Sequence, residues 1–165
     1  MALPSRNVHI IDQPGDLFNA PPNSILIHAC NCAAQKQPHR LAGRALLIPP
    51  PPPAEKNPTA ESQKQHYISC PPTSRLSSGY HDPFDELLHA TWWSLNDLFR
   101  EIAAIKGVKF QDIRMCRINS GIFNVQWQFT KAVVETVRLK EEDFPDGSGN
   151  FPATDTVAYY PLGTA

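Results

Sequence analysis

Arg117-Ile118-Asn119-Ser120-Gly121-Ile122-Phe123-Asn124-Val125-Gln126-Trp127 continues an apolar run that starts near Asp112 and ends it in a small polar cluster. Ile25-Leu26-Ile27-His28-Ala29-Cys30-Asn31-Cys32, upstream, is built the same way. A buried strand that stops at small polar residues is how a parallel sheet delivers a loop to a ligand at its carboxyl edge. Successive amides of the Ser120-Gly121 turn, just ahead of a helix starting near Trp127, can point together at a phosphate. Gly121 would let backbone approach the anion with no Cβ in between. An ordinary tight strand-to-helix connection would use similar residues, so spacing alone leaves both readings open.

Working outward, Val8 to Ile11 reads as a short strand, followed by the turn Gln13-Pro14-Gly15-Asp16. Ser24 to His28 is a second, apolar and largely β-branched, which suits burial on both faces. Arg44 to Ile48 predicts a third, halted by Pro49, and His66 to Cys70 a fourth, halted by Pro71-Pro72 because proline cannot donate to a ladder. Apolar residues from Phe84 through Leu87, Thr91, Leu95 and Leu98 to Ile102 recur at three- and four-residue spacing. This predicts a long helix from about Pro83 to about Ile105, with proline suited to its first turn. Asp112 to Ile118 predicts a central strand, Trp127 to about Glu141 a second helix, and Thr156 to Tyr160 a last strand. Glu135, Arg138, Lys140, Glu141 and Glu142 then read as a solvated helix face. Alternating strand and helix argues an α/β fold with a mostly parallel sheet.

The composition sets limits on partners. Lys and Arg number 15 against 16 acids, so no basic field invites DNA or an anionic membrane, although backbone amides can still hold a small anion. No apolar run reaches the roughly 20 residues of a membrane span, and no signal-peptide layout opens the chain, so an intracellular location, cytoplasmic or nuclear, is expected. Cys30, Cys32, Cys70 and Cys116 lie in or beside strand-like runs and read as reduced, buried thiols. The 17 prolines exceed the usual share of about 5%. Five of them, Pro49 to Pro53, open a polar stretch that predicts a disordered insertion at about 49–65 within one domain of 165 residues. Those five could dock on a recognition module, but without flanking basic residues a passive spacer is the simpler reading.

The two loop-bearing runs resemble the macro domains, and among them the ADP-ribose 1″-phosphate phosphatases of the fungal type. The resemblance covers most of the chain outside residues 33 to 65. It implies a three-layer sandwich with a mixed, mostly parallel sheet between helices. It implies hydrolysis of the terminal phosphate of ADP-ribose 1″-phosphate by a monomer, with no cofactor and no metal. By that likeness Ser120, Gly121, Ile122 and Phe123 line the diphosphate, with Phe123 against the distal ribose and Asn119 and Asn124 beside them. His28-Ala29-Cys30-Asn31 is similar to the family's first ribose-contacting segment. There Asn31 would hydrogen-bond the ribose, Ala29 and Cys30 would line the ligand, and His28 would orient water or protonate the departing group. Gly15-Asp16-Leu17 matches the segment whose acid accepts from the adenine amino group.

The residues alone also allow plainer roles. His28 could be a strand-end histidine satisfied by backbone, and Asp16 a turn residue after Pro14-Gly15. His28, Cys30 and Cys32 alternate on one strand face and admit a zinc reading, but neither Cys70 nor Cys116 completes a known ligand spacing. No P-loop, nucleophile elbow or His-Glu-x-x-His helix is present.

The chain departs from the family pattern in three places. The family often has proline where Gln126 precedes Trp127. Its Asn-Cys segment leads to a tryptophan and a glycine run opening a helix, the other half of the phosphate clamp. Here Cys32 leads instead to Ala33-Ala34-Gln35-Lys36-Gln37-Pro38 and soon to the next strand, so the first crossover helix is expected to be short or absent. Pro71-Pro72 stands where the family tends to be apolar. Two further readings follow from these losses: an ADP-ribose-binding module without turnover, and an inactive truncated product.

Overall fold

The computed structural model describes residues 5–31, 46–48, 66–74, 82–105, 107–108, 110–121, 123–140 and 156–160. The proline-rich segment at about 49–65, Cys32 and the first crossover through residue 45 fall outside them.

Among the described residues ten strands and two helices follow one another: β1 Ser5–Asn7, β2 Ile10–Pro14, β3 Ile25–Ile27, β4 Cys30–Asn31, β5 Leu46–Ile48, β6 Tyr67–Cys70, β7 Pro72–Ser74, α1 Phe84–Ala104, β8 Ile113–Cys116, α2 Trp127–Val134, β9 Arg138–Lys140 and β10 Thr156–Tyr160. The main sheet has the order β2-β10-β8-β3-β6-β5, with every neighbouring pair parallel except β5 with β6. This is the mostly parallel α/β architecture that the alternation of elements predicts. The five parallel strands therefore discharge their loops at one edge, which puts residues 15–18, 28–31, 71–74 and 117–126 on a common side.

Side-chain parity explains the core. Ile25 and Ile27, Ile113 and Met115, and Ile10 point to one face, where Leu95, Leu98, Phe99 and Ile102 of α1 and Val134 of α2 meet them. α1 and α2 pack on each other over that core. Phe84 and Phe129 clasp their first turns edge to face at 5.3 Å, an arrangement aromatic rings favour. On the opposite face the return segment between β2 and β3 is tied down by Arg114. Its guanidinium donates to the Asn19 carbonyl and pairs with Asp112 at 2.7 Å.

α1 matches its predicted span. Pro83 caps it from extended backbone, Leu87 N–H donates to the Pro83 carbonyl, and Asp85 and Glu86 in the first turn answer the helix dipole.

Three expectations change. β2 begins two residues later than Val8 and runs through Pro14, because parallel pairing with β10 extends from Ile10 to Pro14. α2 stops at Val134 instead of near Glu141: the chain turns at Glu135-Thr136, and Arg138–Lys140 becomes a strand antiparallel to β1. The charged tract is thus not one helix face, and the Glu135 carboxylate accepts from the Ile10 amide at 3.3 Å. Beyond the end of β6 at Cys70, pairing resumes at β7, which lies parallel to β4 despite Pro72.

Leu98 is fully buried between α1 and the sheet. Leu98→Ala should cost about 2–5 kcal/mol and lower the midpoint of denaturant unfolding with little change in slope. A loss below about 1 kcal/mol would mean that α1 is not packed as described.

Candidate functional site

The loop after β8 is held by its own backbone. Val125 N–H returns to the Asn119 carbonyl at 3.0 Å, Asn124 N–H to Gly121 and Ser120 N–H to Arg117. Asn119 and Asn124 take left-handed φ angles of 67° and 51°, which asparagine tolerates better than most residues. The Asn119 side chain turns under α1, where its Nδ2 donates to Thr91 Oγ1 at 2.8 Å. Thr91 in turn donates to the Leu87 carbonyl at 2.7 Å. Asn119 therefore anchors the loop through its Nδ2, while its buried Oδ1 has no hydrogen-bond partner.

Ser120 is half-buried, and its Oγ atom is buried without a hydrogen-bond partner. Buried hydroxyls rarely go unpaired, so this one suits an acceptor brought by a ligand. Gly121 is exposed, and a Cβ built on it meets nothing within 4 Å, so the fold itself does not require glycine there. Phe123 is half-buried and Asn124 exposed, while Ile122 lies outside the described residues. α2 then starts at Trp127 with neither a capping side chain nor an acidic residue in its first turn. Its own side chains leave the positive end of the helix dipole unanswered, which suits a nearby anion.

His28 follows β3 and is exposed. Its backbone N–H donates to the Ser69 carbonyl, and its ring Nδ1 lies 2.8 Å from the Ala29 carbonyl. A carbonyl only accepts, so Nδ1 donates in that contact and Nε2 lies outside it. Ala29 is half-buried beside the core, and Cys30 and Asn31 form β4 against β7. Gly15, Asp16 and Leu17 follow β2. Asp16 is exposed, and its Oδ1 accepts from the Phe18 amide at 2.9 Å, leaving Oδ2 available to a further donor.

Neighbouring strands thus bring the three predicted segments to one edge. Sequence reasoning missed Asp12, whose carboxylate receives the Trp127 indole N–H at 2.7 Å. The available signal was strand parity: Asp12 shares the inward face with Ile10 once β2 is known to continue to Pro14.

Cys116 ends β8 just before the loop. Burial pushes its thiol above the ordinary value, more than a contact with the Ala29 backbone lowers it, and burial also raises Cys70.

Comparison with known proteins bears on the fold and the family. No family model matches the chain. It is 34% identical to an ADP-ribose 1″-phosphate phosphatase of Chaetomium globosum over 181 positions, covering 92% of this chain and 96% of that protein. That alignment is longer than the 165-residue chain, so the relative has positions with no counterpart here. A protein of the same name from Neosartorya fischeri is 26% identical, with 85% of this chain and 96% of the relative covered. The macrodomain of Thermus aquaticus DarG superposes with a TM-score of 0.54 at 15% identity, over 93% of this chain and 99% of its own, a likeness of fold.

Two outcomes are expected. Thr91→Val removes the acceptor of a buried amide and should destabilise by about 1–3 kcal/mol in chemical unfolding; an unchanged midpoint would remove this hydrogen bond from the loop's support. For the thiols, a raised folded-state pKa means the unfolded chain loses its protons first. Their contribution is fully present below roughly pH 8.5 and is lost as pH rises through the higher folded values. Stability should fall as pH rises above about 8.5 in the wild type and fall less in Cys116→Ala. Equal slopes would contradict the assignment.

Proposed function

This chain belongs to the family of ADP-ribose 1″-phosphate phosphatases, and on that premise we propose that it hydrolyses the terminal phosphate of ADP-ribose 1″-phosphate, releasing ADP-ribose and inorganic phosphate. The observation that carries the reading is the loop Asn119 to Asn124: a backbone turn with an unpartnered Ser120 hydroxyl, an open Gly121 and an uncapped α2 just beyond. Those are the features a diphosphate needs where no basic cluster is offered.

Gly15, Asp16 and Leu17 take the adenine end, with Asp16 Oδ2 accepting from the exocyclic amine. Ala29, Cys30 and Asn31 line the distal ribose, with the Asn31 amide on a hydroxyl. Ser120, Gly121, Ile122 and Phe123 hold the diphosphate, Asn124 flanks it, and Asn119 acts through loop shape.

Water attacks the terminal phosphorus and the bond from phosphorus to the ribose oxygen breaks. The proton lost by water is matched by one gained at the departing oxygen. His28 Nε2 is the group for either transfer, because the Ala29 carbonyl engages Nδ1 and leaves Nε2 to exchange a proton with the water or the departing oxygen. The rest of the acceleration comes from holding the phosphate in line.

The partner is a small molecule, and the unit is one monomeric domain. Among the described residues no helix is long and apolar enough to cross a membrane. An intracellular setting fits a nucleotide-derived substrate and the reduced thiols of Cys70 and Cys116, which are in no disulfide.

A second reading has its own observation. Between Cys32 and Gly43 the chain has no glycine run, which favours an ADP-ribose reader that no longer turns over.

Phosphate release measured beside calorimetry with ADP-ribose separates the two. Release that falls at least a hundredfold in His28→Ala, with ADP-ribose affinity kept, is expected of the enzyme, since general acid–base catalysis contributes roughly 10²–10⁴-fold. Binding without any wild-type release makes the chain a reader, and no ligand-induced rise in Tm makes it inert. Gly121→Val should leave Tm unchanged, since its Cβ meets nothing, and abolish binding; retained affinity would take the loop out of the site.

A further inference from the structure

Asp12 occupies a position where a strand normally points an apolar side chain at the core. It shares the parity of Ile10, which is buried in the main hydrophobic cluster, and its own side chain is only 25% exposed. Three donors converge on its carboxylate. Trp127 Nε1 donates to Oδ1 at 2.7 Å, Lys131 Nζ lies 3.0 Å from Oδ2, and the Arg117 guanidinium lies 3.5 Å from Oδ1.

Arg117 is the first residue of the loop, and Trp127 opens α2 just beyond it. Lys131 lies one turn further along α2, so the carboxylate grips that helix twice. A partly buried ion pair contributes little net stability, and an isoleucine could fill this position as Ile10 fills its own. An apolar side chain could not hold both ends of a loop to one atom pair on a sheet strand. Hydrogen bonds to a charged acceptor are directional and worth more than neutral ones, so the carboxylate fixes the span between Arg117 and Trp127.

We propose that Asp12 is a positioning residue for the phosphate loop, acting through Arg117, Trp127 and Lys131 and not by touching the ligand. Its place on β2 also makes the strand that delivers Gly15 and Asp16 the strand that sets the loop. The adenine and diphosphate ends of the site are thereby registered to each other. The proposal rests on the ADP-ribose reading for its ligand, but the mechanical link it asserts does not need ligand.

The test uses Asp12→Asn, which keeps an oxygen for the Trp127 indole but loses the charge, together with Asp12→Ala and Trp127→Phe. In the unliganded full chain, hydrogen exchange should accelerate about tenfold or more at the Asn124 and Val125 amides in Asp12→Ala. It should change little at Ile102 in α1, and the Trp127 indole N–H resonance should move. ADP-ribose affinity should fall about tenfold in Asp12→Ala and less in Asp12→Asn, and KM for ADP-ribose 1″-phosphate should rise in parallel with kcat little changed. The double variant Asp12→Ala/Trp127→Phe should lose no more than Asp12→Ala alone, since the Trp127 link is among those that Asp12→Ala already breaks. Should Asp12→Ala fail to fold, Asp12→Asn and Trp127→Phe give the exchange and affinity readouts, and Asp12→Asn also the indole resonance. Loop exchange that matches wild type, or accelerates equally at Ile102, overturns the proposal whether or not ligand binds. Wild-type protein that binds no ADP-ribose, with loop exchange still coupled to Asp12, overturns the ligand reading and leaves the positioning role standing.

Discussion

One buried hydrogen bond, from Asn119 Nδ2 to Thr91 Oγ1 at 2.8 Å, joins the end of the central strand to the middle of the long helix. Both residues are buried, so neither group could exchange its partner for water without cost. The bond holds Asn119 in its left-handed conformation, and from there the chain reverses and returns through Val125. Everything from Ser120 to the start of α2 takes its direction from that turn. Around it lies a seam of similar contacts: Ser94 donates to the Pro72 carbonyl and Ser74 to Asp82, both buried. The carboxyl edge of the sheet is thus fastened to α1 by polar groups, whereas the body of the sheet is fastened to it by apolar ones.

This division suits a binding edge. Apolar packing is non-directional and tolerates small shifts, while hydrogen bonds set positions to a few tenths of an ångström. The Asn119 anchor acts from α1 and the Asp12 carboxylate from β2, so the loop is held from two elements of one packed body. His28 is controlled differently. Its backbone is paired to β6 and its ring is oriented by the next residue's carbonyl, so its tautomer is set locally.

The fold was legible wherever period and composition agreed. The α1 stripe from Phe84 to Ile102 predicted the helix within a residue at either end, and Ile25–Ile27 and Thr156–Tyr160 were visible as β-branched or aromatic runs. Legibility failed where tertiary pairing overrode local preference. Glu135 to Lys140 continues the composition of a helix, but the antiparallel partner Ser5–Asn7 draws Arg138–Lys140 into a strand. Asp12 escaped notice for a related reason: the strand seemed to end before it, so its inward parity could not be counted. Asn119 was readable as a loop residue, yet nothing in its neighbourhood indicated that its amide would turn toward Thr91, 28 positions earlier.

By itself the sequence determined the α/β class, the family resemblance and the three segments that reach the carboxyl edge, because apolar periodicity and strand-ending polar clusters are local properties. The tertiary structure decided which polar atoms are committed to the scaffold and which are not. Asn119 Nδ2 and Asp12 are committed, whereas Ser120 Oγ, Asp16 Oδ2 and His28 Nε2 are not. That distinction depends on distances between residues far apart in the chain, and hydrogen-bond partners at such separations leave no mark in local composition.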